Sequence, residues 1–420
     1  MHIADLLLLL GKGLAVASLP LLLVWAGFAK RGGDDPLRRL AWVTAFFTFD
    51  LIVFGGFTRL ADAGLGCPDW PGCYAKANPI MAAADIRNAE ALIPSGPVTM
   101  TKAWIEMIHR YLAMGVGVLI IVLFAWSVVR WRHKARAARA ALPASPGLAL
   151  ALLALVVAQG AFGAWTVTMK LQPVIVTTHL LLGMTLLSML VWHALRLGNS
   201  TRADAAPRVE EGARGVRALA VVGALALAIQ IALGGWVSTN YAVLACADFP
   251  LCQGALVPEM DFAKGFHLWR ELGKTGDGAN LGLSALTAIH WVHRGFSVIV
   301  VALLVALVWR AWTVPALKKS ALSLALLLAA QFATGIVNVV FAWPLAAAVL
   351  HNAGAAALVA VLTVLNYKTA AIARWSRAPQ GAKRSSRRPP VLRDPQRADP
   401  TPHPNQSADP LAATFHATRP

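Results

Sequence analysis

Residues 55–73 read GGFTRLADAGLGCPDWPGC, and residues 234–252 read GGWVSTNYAVLACADFPLC. The two stretches align without a gap. Gly55, Gly56, Ala63, Leu65, Cys67, Asp69, Pro71 and Cys73 each recur 179 residues later, and Trp70 is matched by the aromatic Phe249. Self-similarity of this length marks an internal duplication. It continues outward from the loops. EMIHR at 106–110 matches HWVHR at 290–294, 184 residues on, and Gln159, Gly163 and His179 recur as Gln331, Gly335 and His351 at a spacing of 172.

The duplicated unit is membranous. Of 420 residues, 57% are hydrophobic and 14% charged, and the mean hydropathy is +0.60, whereas soluble domains carry about 25% charged residues. Apolar runs of about 20 residues, long enough to cross a bilayer, fall near 4–28, 38–60, 103–130, 148–169, 174–196, 215–238, 284–309, 320–342 and 345–367. The net charge of +18 gathers in every second loop, at 30–39, 130–139, 196–217, 310–319 and the tail from 368. Such alternation is a topology signal that puts these loops in the cytoplasm, so the lipid bilayer is the expected partner and nucleic acid is not.

The fold class expected is an all-α integral membrane protein: two parallel pseudo-repeat four-helix bundles, eight core transmembrane helices, plus an extra N-terminal helix. Both halves begin on the cytoplasmic side, so an axis along the membrane normal relates them. The domains are residues 1–36, an apolar anchor and basic loop; 37–198, the first half; 199–213, a cytoplasmic linker; 214–370, the second half; and 371–420, a tail whose Pro, Arg, Ser and Asp content predicts disorder. Residues 4–28 put positive charge after rather than before the apolar stretch, the reverse of a signal peptide, so they are read as an uncleaved helix although Lys12 interrupts them.

All four cysteines lie in the two long non-cytoplasmic loops, as Cys67 with Cys73 and Cys246 with Cys252. That side is oxidising in a bacterium, which predicts two local disulfides. Neither loop offers His at zinc-site spacing. Ionisable residues inside a bilayer mark functional sites by default, and four histidines occupy matched positions: His109 and His179, then His293 and His351. His179 lies six residues after Pro173, His351 seven after Pro344, and His109 about six after the expected start of its helix, which at 1.5 Å per residue is about 10 Å inside the outer boundary. Two imidazoles at one depth on one bundle suit a haem. A lone histidine is more often a hydrogen-bonded packing residue, and zinc or copper is the rival ligand.

Glu106, three residues before His109, shares its helix face; the matching position in the second half is His290. A buried carboxylate beside one site alone is a candidate acid–base group, against a structural hydrogen bond to a neighbouring helix. Arg110 and Arg294 follow the histidines. Haem propionates, Glu106, Asp69 and Asp248 are all candidate partners for them.

These loops, the Glu106 and His109 pair in EMIHR, and IHWVHR together resemble the haem A synthase family, over about residues 37–367. The resemblance implies an eight-helix enzyme of the bacterial cytoplasmic (inner) membrane, or of the mitochondrial one, that oxidises a ring methyl of haem O to a formyl by two hydroxylations through a geminal diol. It implies that His109 and His179 hold the substrate haem O, that Glu106 assists the oxidation, and that His293 and His351 ligate a haem b cofactor. Haem O synthase as supplier and a haem-copper terminal oxidase as destination belong to the same expectation; the sequence leaves the oligomeric state open, a homo-oligomer included. The alternatives kept are a dihaem b-type cytochrome that only transfers electrons, and a transporter.

Overall fold

The computed structural model describes residues 2–30, 35–133, 146–198 and 213–377. Among these residues there are helices and no strands: α1 (Ile3–Lys30), α2 (Pro36–Leu60), α3 (Ala83–Leu92), α4 (Met100–Arg132), α5 (Pro146–Thr168), α6 (Pro173–Gly198), α7 (Ala213–Thr239), α8 (Phe262–Gly265), α9 (Leu283–Trp312), α10 (Lys318–Val340) and α11 (Leu345–Arg377). All but α3 and α8 are long and apolar enough to cross a membrane, nine candidate spans among the described residues. This is a multi-pass membrane protein.

Local chemistry sets the helix starts. Asp35 caps α2 through its carboxylate and the Leu37 N–H (3.1 Å), with Pro36 in the first turn, where its missing N–H costs nothing. Thr99 caps α4 by accepting the Lys102 N–H at 3.2 Å. The cap puts the start of α4 at Met100 rather than near 103, so His109 lies about 14 Å along its helix and not about 10 Å. His179 and His351 lie about 9 Å along theirs. At its other end α11 runs on to Arg377, past the boundary expected at 370. Residues 199–212 of the expected cytoplasmic linker, and the tail from 378, for which disorder is expected, lie outside the described residues.

Within the first half α2, α4, α5 and α6 close into a ring, and in the second α7, α9, α10 and α11 do the same. The rings meet through α2 on α11, α6 on α7 and α6 on α11. Several contacts at this junction join a residue to its own sequence match. Arg59 donates to the Ser238 carbonyl (2.6 Å) and Tyr241 to the Asp62 carboxylate (2.6 Å), both 179 residues apart; Tyr367 donates to the Leu195 carbonyl (3.3 Å), 172 apart. Both disulfide loops therefore stand at one end. Left-handed backbone recurs in register too, at Lys170 and Leu171 between α5 and α6 and at Ala342 and Trp343 between α10 and α11. Strained φ values at non-glycine residues persist only where the surroundings over-determine them, and here they turn two helix pairs through the same corner.

Helix α1 lies on α4. Lys12, whose charge sits awkwardly in an apolar segment, places its ammonium 4.7 Å from the centre of the Tyr111 ring, a cation–π contact.

Candidate functional site

Each of the four matched histidines is held the same way. A methyl group at Gly55 on α2 would come within 2.9 Å of His109 Cε1, and one at Gly234 on α7 within 3.0 Å of His293 Cε1. At Gly163 on α5 it would meet His179 Cε1 at 3.2 Å, and at Gly335 on α10 His351 Cε1 at 3.3 Å. Glycine at each position lets the Cε1 edge of a ring come close to a neighbouring helix. The members of each pair, His109 with His179 and His293 with His351, lie within electrostatic range of one another.

The two pairs differ in their outer support. In the second half the Gln230 side-chain amide lies 3.1 Å from His293 Nδ1 and donates to the His293 carbonyl (3.0 Å). Thr334 Oγ1 lies 3.0 Å from His351 Nδ1 and spends its own proton on the Ala330 or Gln331 carbonyl, so it accepts the Nδ1 proton and leaves Nε2 free to ligate. In the first half the matching positions are Leu51 and Phe162. There Nδ1 of His109 and of His179 is buried without a partner; a stacked Phe54 ring (6.3 Å between centres, 16° between planes) and the Gln159 amide, 3.5 Å from His179 Nε2, are their neighbours. Gln230, Thr334 and Phe54 escaped the sequence reading, since a single amide, hydroxyl or ring on an apolar helix carries no pattern.

Glu106 is 4% exposed. Its Oε2 accepts the Cys67 N–H (2.8 Å) and its Oε1 pairs with Arg110 Nη2. Arg110 Nη1 in turn takes the carbonyls of Asp69 (2.9 Å), Pro71 (3.3 Å) and Gly72. Among the partners open to Arg110, the fold supplies Glu106 and the backbone of Asp69. The Asp69 carboxylate goes elsewhere, to the Tyr74 and Ala75 N–H groups. In the second half Arg294 likewise takes the Asp248 (3.0 Å) and Pro250 (3.3 Å) carbonyls and lies over the Phe249 ring, but His290, 3% exposed, stands where the carboxylate would be. Cys67–Cys73 and Cys246–Cys252 are bonded, with Cα atoms 4.9 and 4.6 Å apart.

Among the described residues no three His, Cys, Asp or Glu side chains converge as a metal-ion cage. Two imidazoles per site, each flanked by glycine, with orphaned ring nitrogens in the first pair, fit a macrocycle that fills the equatorial positions itself.

Residues 38–363 match the family model described as cytochrome oxidase assembly protein, COX15-CtaA. Among curated relatives, a heme A synthase of Shewanella oneidensis is 38% identical over 332 residues, 78% of this chain and 96% of the relative. A heme A synthase of Sphingopyxis alaskensis is 32% identical, covering 77% of this chain and 89% of its own, and one of a Caulobacter species is 30% identical, covering 81% and 98%.

Proposed function

We propose a function from one premise: the chain belongs to the COX15-CtaA family of cytochrome oxidase assembly proteins, whose members compared above are named heme A synthase. It is a haem A synthase, an oxidoreductase that makes haem A from haem O for oxidase assembly. The finer reading is that the methyl is oxidised by successive hydroxylations, in a bacterial inner membrane, with the disulfide loops periplasmic and the C-terminal residues cytoplasmic. Haem O synthase is the proposed supplier.

We assign His109 and His179 in the half 37–198 to substrate haem O, and His293 and His351 in the half 214–370 to a resident haem b. The supporting observation is the asymmetry of the two pairs. His351 donates its Nδ1 proton to Thr334, an outer-shell hydrogen bond of the kind that raises ligand affinity, as suits a cofactor that stays, and the Gln230 amide stands beside His293 Nδ1. Nδ1 of both first-half histidines has no such partner, as suits a ligand that must leave. When bound, the second haem supplies one-electron transfer and the first presents its methyl for oxidation.

The chain's own contributions follow from the contacts. Gly55 and Gly163 admit the His109 and His179 rings, Phe54 restrains the His109 ring, and Glu106, one turn from His109, supplies the negative charge that accepts a proton or stabilises cationic character on the porphyrin. Arg110 orients that carboxylate. Arg110 and Arg294 reach propionates only with donors not already given to the loop carbonyls.

The test is haem extraction and chromatography from cells lacking their own enzyme, supplied with haem O synthase and this chain. Haem A should appear, and Glu106→Gln should abolish it while haem b stays bound. Bound haem b with no conversion by the wild type would instead identify an electron-transfer cytochrome.

A further inference from the structure

Helix α1 lies outside the stretch that matches the family, which begins at residue 38, yet it is joined to the loop that holds Glu106. The Asp5 carboxylate, buried at the loop end of α1, accepts the Ala77 N–H at 3.3 Å. The Ala77 carbonyl accepts the Tyr111 hydroxyl of α4 at 2.7 Å, and Lys12 of α1 lies over the same Tyr111 ring. Ala77 is thus gripped on both backbone groups, one from each helix. The approach of α1 to α4 is tight: a methyl at Gly13 would stand 2.8 Å from Met114 Cβ, and one at Gly115 2.6 Å from Val16 Cγ1.

The grip passes into the site through the backbone. Lys76, beside Ala77, exchanges two hydrogen bonds with Cys73 (2.9 and 3.0 Å). Cys73 is joined by its disulfide to Cys67, whose N–H is donated to Glu106. Among the described residues the second half has no such brace. The residue matching Ala77 is Leu256, 73% exposed where Ala77 is 0% exposed, and the residue matching Tyr111 is Gly295.

We propose that α1 is a positioning element for the oxidation site, acting through Asp5 and Ala77 to hold the Cys67–Cys73 loop at the register in which Cys67 and Arg110 orient the Glu106 carboxylate. The inference rests on the assignment of Glu106 to haem O oxidation, but its mechanical part does not. Free of the brace, the loop opens more often, since an opening there breaks one hydrogen bond fewer.

The experiment uses full-length protein in membranes. The first measurement is the rate at which a membrane-impermeant thiol reductant opens Cys67–Cys73, with Cys246–Cys252 as internal control. Asp5→Ala should speed reduction of the first disulfide about three- to tenfold, the factor one hydrogen bond is worth, and leave the second unchanged. Asp5→Asn, whose amide oxygen still accepts the Ala77 N–H, should restore the wild-type rate. Tyr111→Phe, which removes only the grip on the Ala77 carbonyl, should shift the rate the same way and decides the matter if Asp5→Ala does not accumulate. The second measurement is the haem A to haem O ratio, which should fall in the same order while haem b content holds. Wild-type reduction rates in Asp5→Ala, equal acceleration of both disulfides, or no rescue by Asn overturns the brace. A selective rise in reduction without haem A formation by any variant, wild type included, would instead refute the assignment of function and leave the brace standing.

Discussion

Gly55→Ala tests whether the four glycines hold space for a ligand or only pack helices. The added methyl would lie 2.9 Å from His109 Cε1, at least 0.5 Å short of the 3.4 Å at which contact becomes ordinary. The backbone of α2 is committed to its own hydrogen bonds, so the imidazole must move from the position in which it would ligate the proposed haem. Overpacking of this kind costs about 1–3 kcal/mol, which at about 1.4 kcal/mol per factor of ten weakens haem binding in the first site about five- to a hundredfold. The helix itself gains, because alanine is favoured over glycine by about 0.5–1 kcal/mol in a helix interior. Ligand loss without loss of fold is therefore the signature. The same change at Gly335 falls only 0.1 Å short of ordinary contact and should cost no more than about fivefold, the bottom of the range for small overpacking. The assay is haem-to-protein stoichiometry by pyridine haemochrome on purified variants, with thermal melts as the fold control. Full haem occupancy and an unchanged spectrum in Gly55→Ala would refute the cradle.

Arg110→Met strips the Glu106 carboxylate of its partner inside the protein, and removing one member of a buried pair costs about 3–5 kcal/mol; the melting temperature of the variant should fall well below that of Glu106→Gln, and equal melting would show the pair to be idle. Replacing Cys67 and Cys73 by Ser should cost about 2–3 kcal/mol from loop closure, visible as earlier proteolysis of the outer loop with the second loop resistant; equal protection of both loops would contradict this. Asp248 in the second loop accepts the Gly254 and Gln253 N–H groups, which hold its carboxyl below the usual carboxylate range, Gly254 foremost. With a folded value below the unfolded one of about 3.9, the stability it contributes is present above about pH 4 and is lost as pH falls through the lower folded value. Amide exchange at Gly254, corrected for intrinsic rate, should stay slow from pH 7 down to that point and then quicken; acceleration beginning above pH 5 would reject the assignment.

The spans, the four matched histidines, the unmatched Glu106 and both cysteine pairs were legible in the sequence, because each is a feature of spacing. Among the described residues, nine helices long and apolar enough to cross a membrane fall at the expected places to within about five residues. The start of α4 was read late because Thr99 and Lys102 make a polar first turn that hydropathy places outside the membrane, although the Thr99 cap makes it helical. Whether Arg110 pairs with Glu106 or with Asp69 was open, since both lie within reach of its long side chain. The fold decided it by giving the Asp69 carboxylate to two loop N–H groups.

Sequence by itself determined the duplicated membrane architecture and which residues are exceptional in it, since hydrophobic run length and repeat spacing are one-dimensional quantities set by bilayer thickness and gene duplication. Only the tertiary structure decided what differs between the two sites: the Gln230 and Thr334 supports on one side, the orphaned ring nitrogens and the buried Glu106–Arg110 pair on the other, and the α1 grip on Ala77. Those are contacts between residues tens to hundreds of positions apart, and a hydrogen bond needs its partners within about 3 Å, a condition that packing sets and spacing along the chain does not.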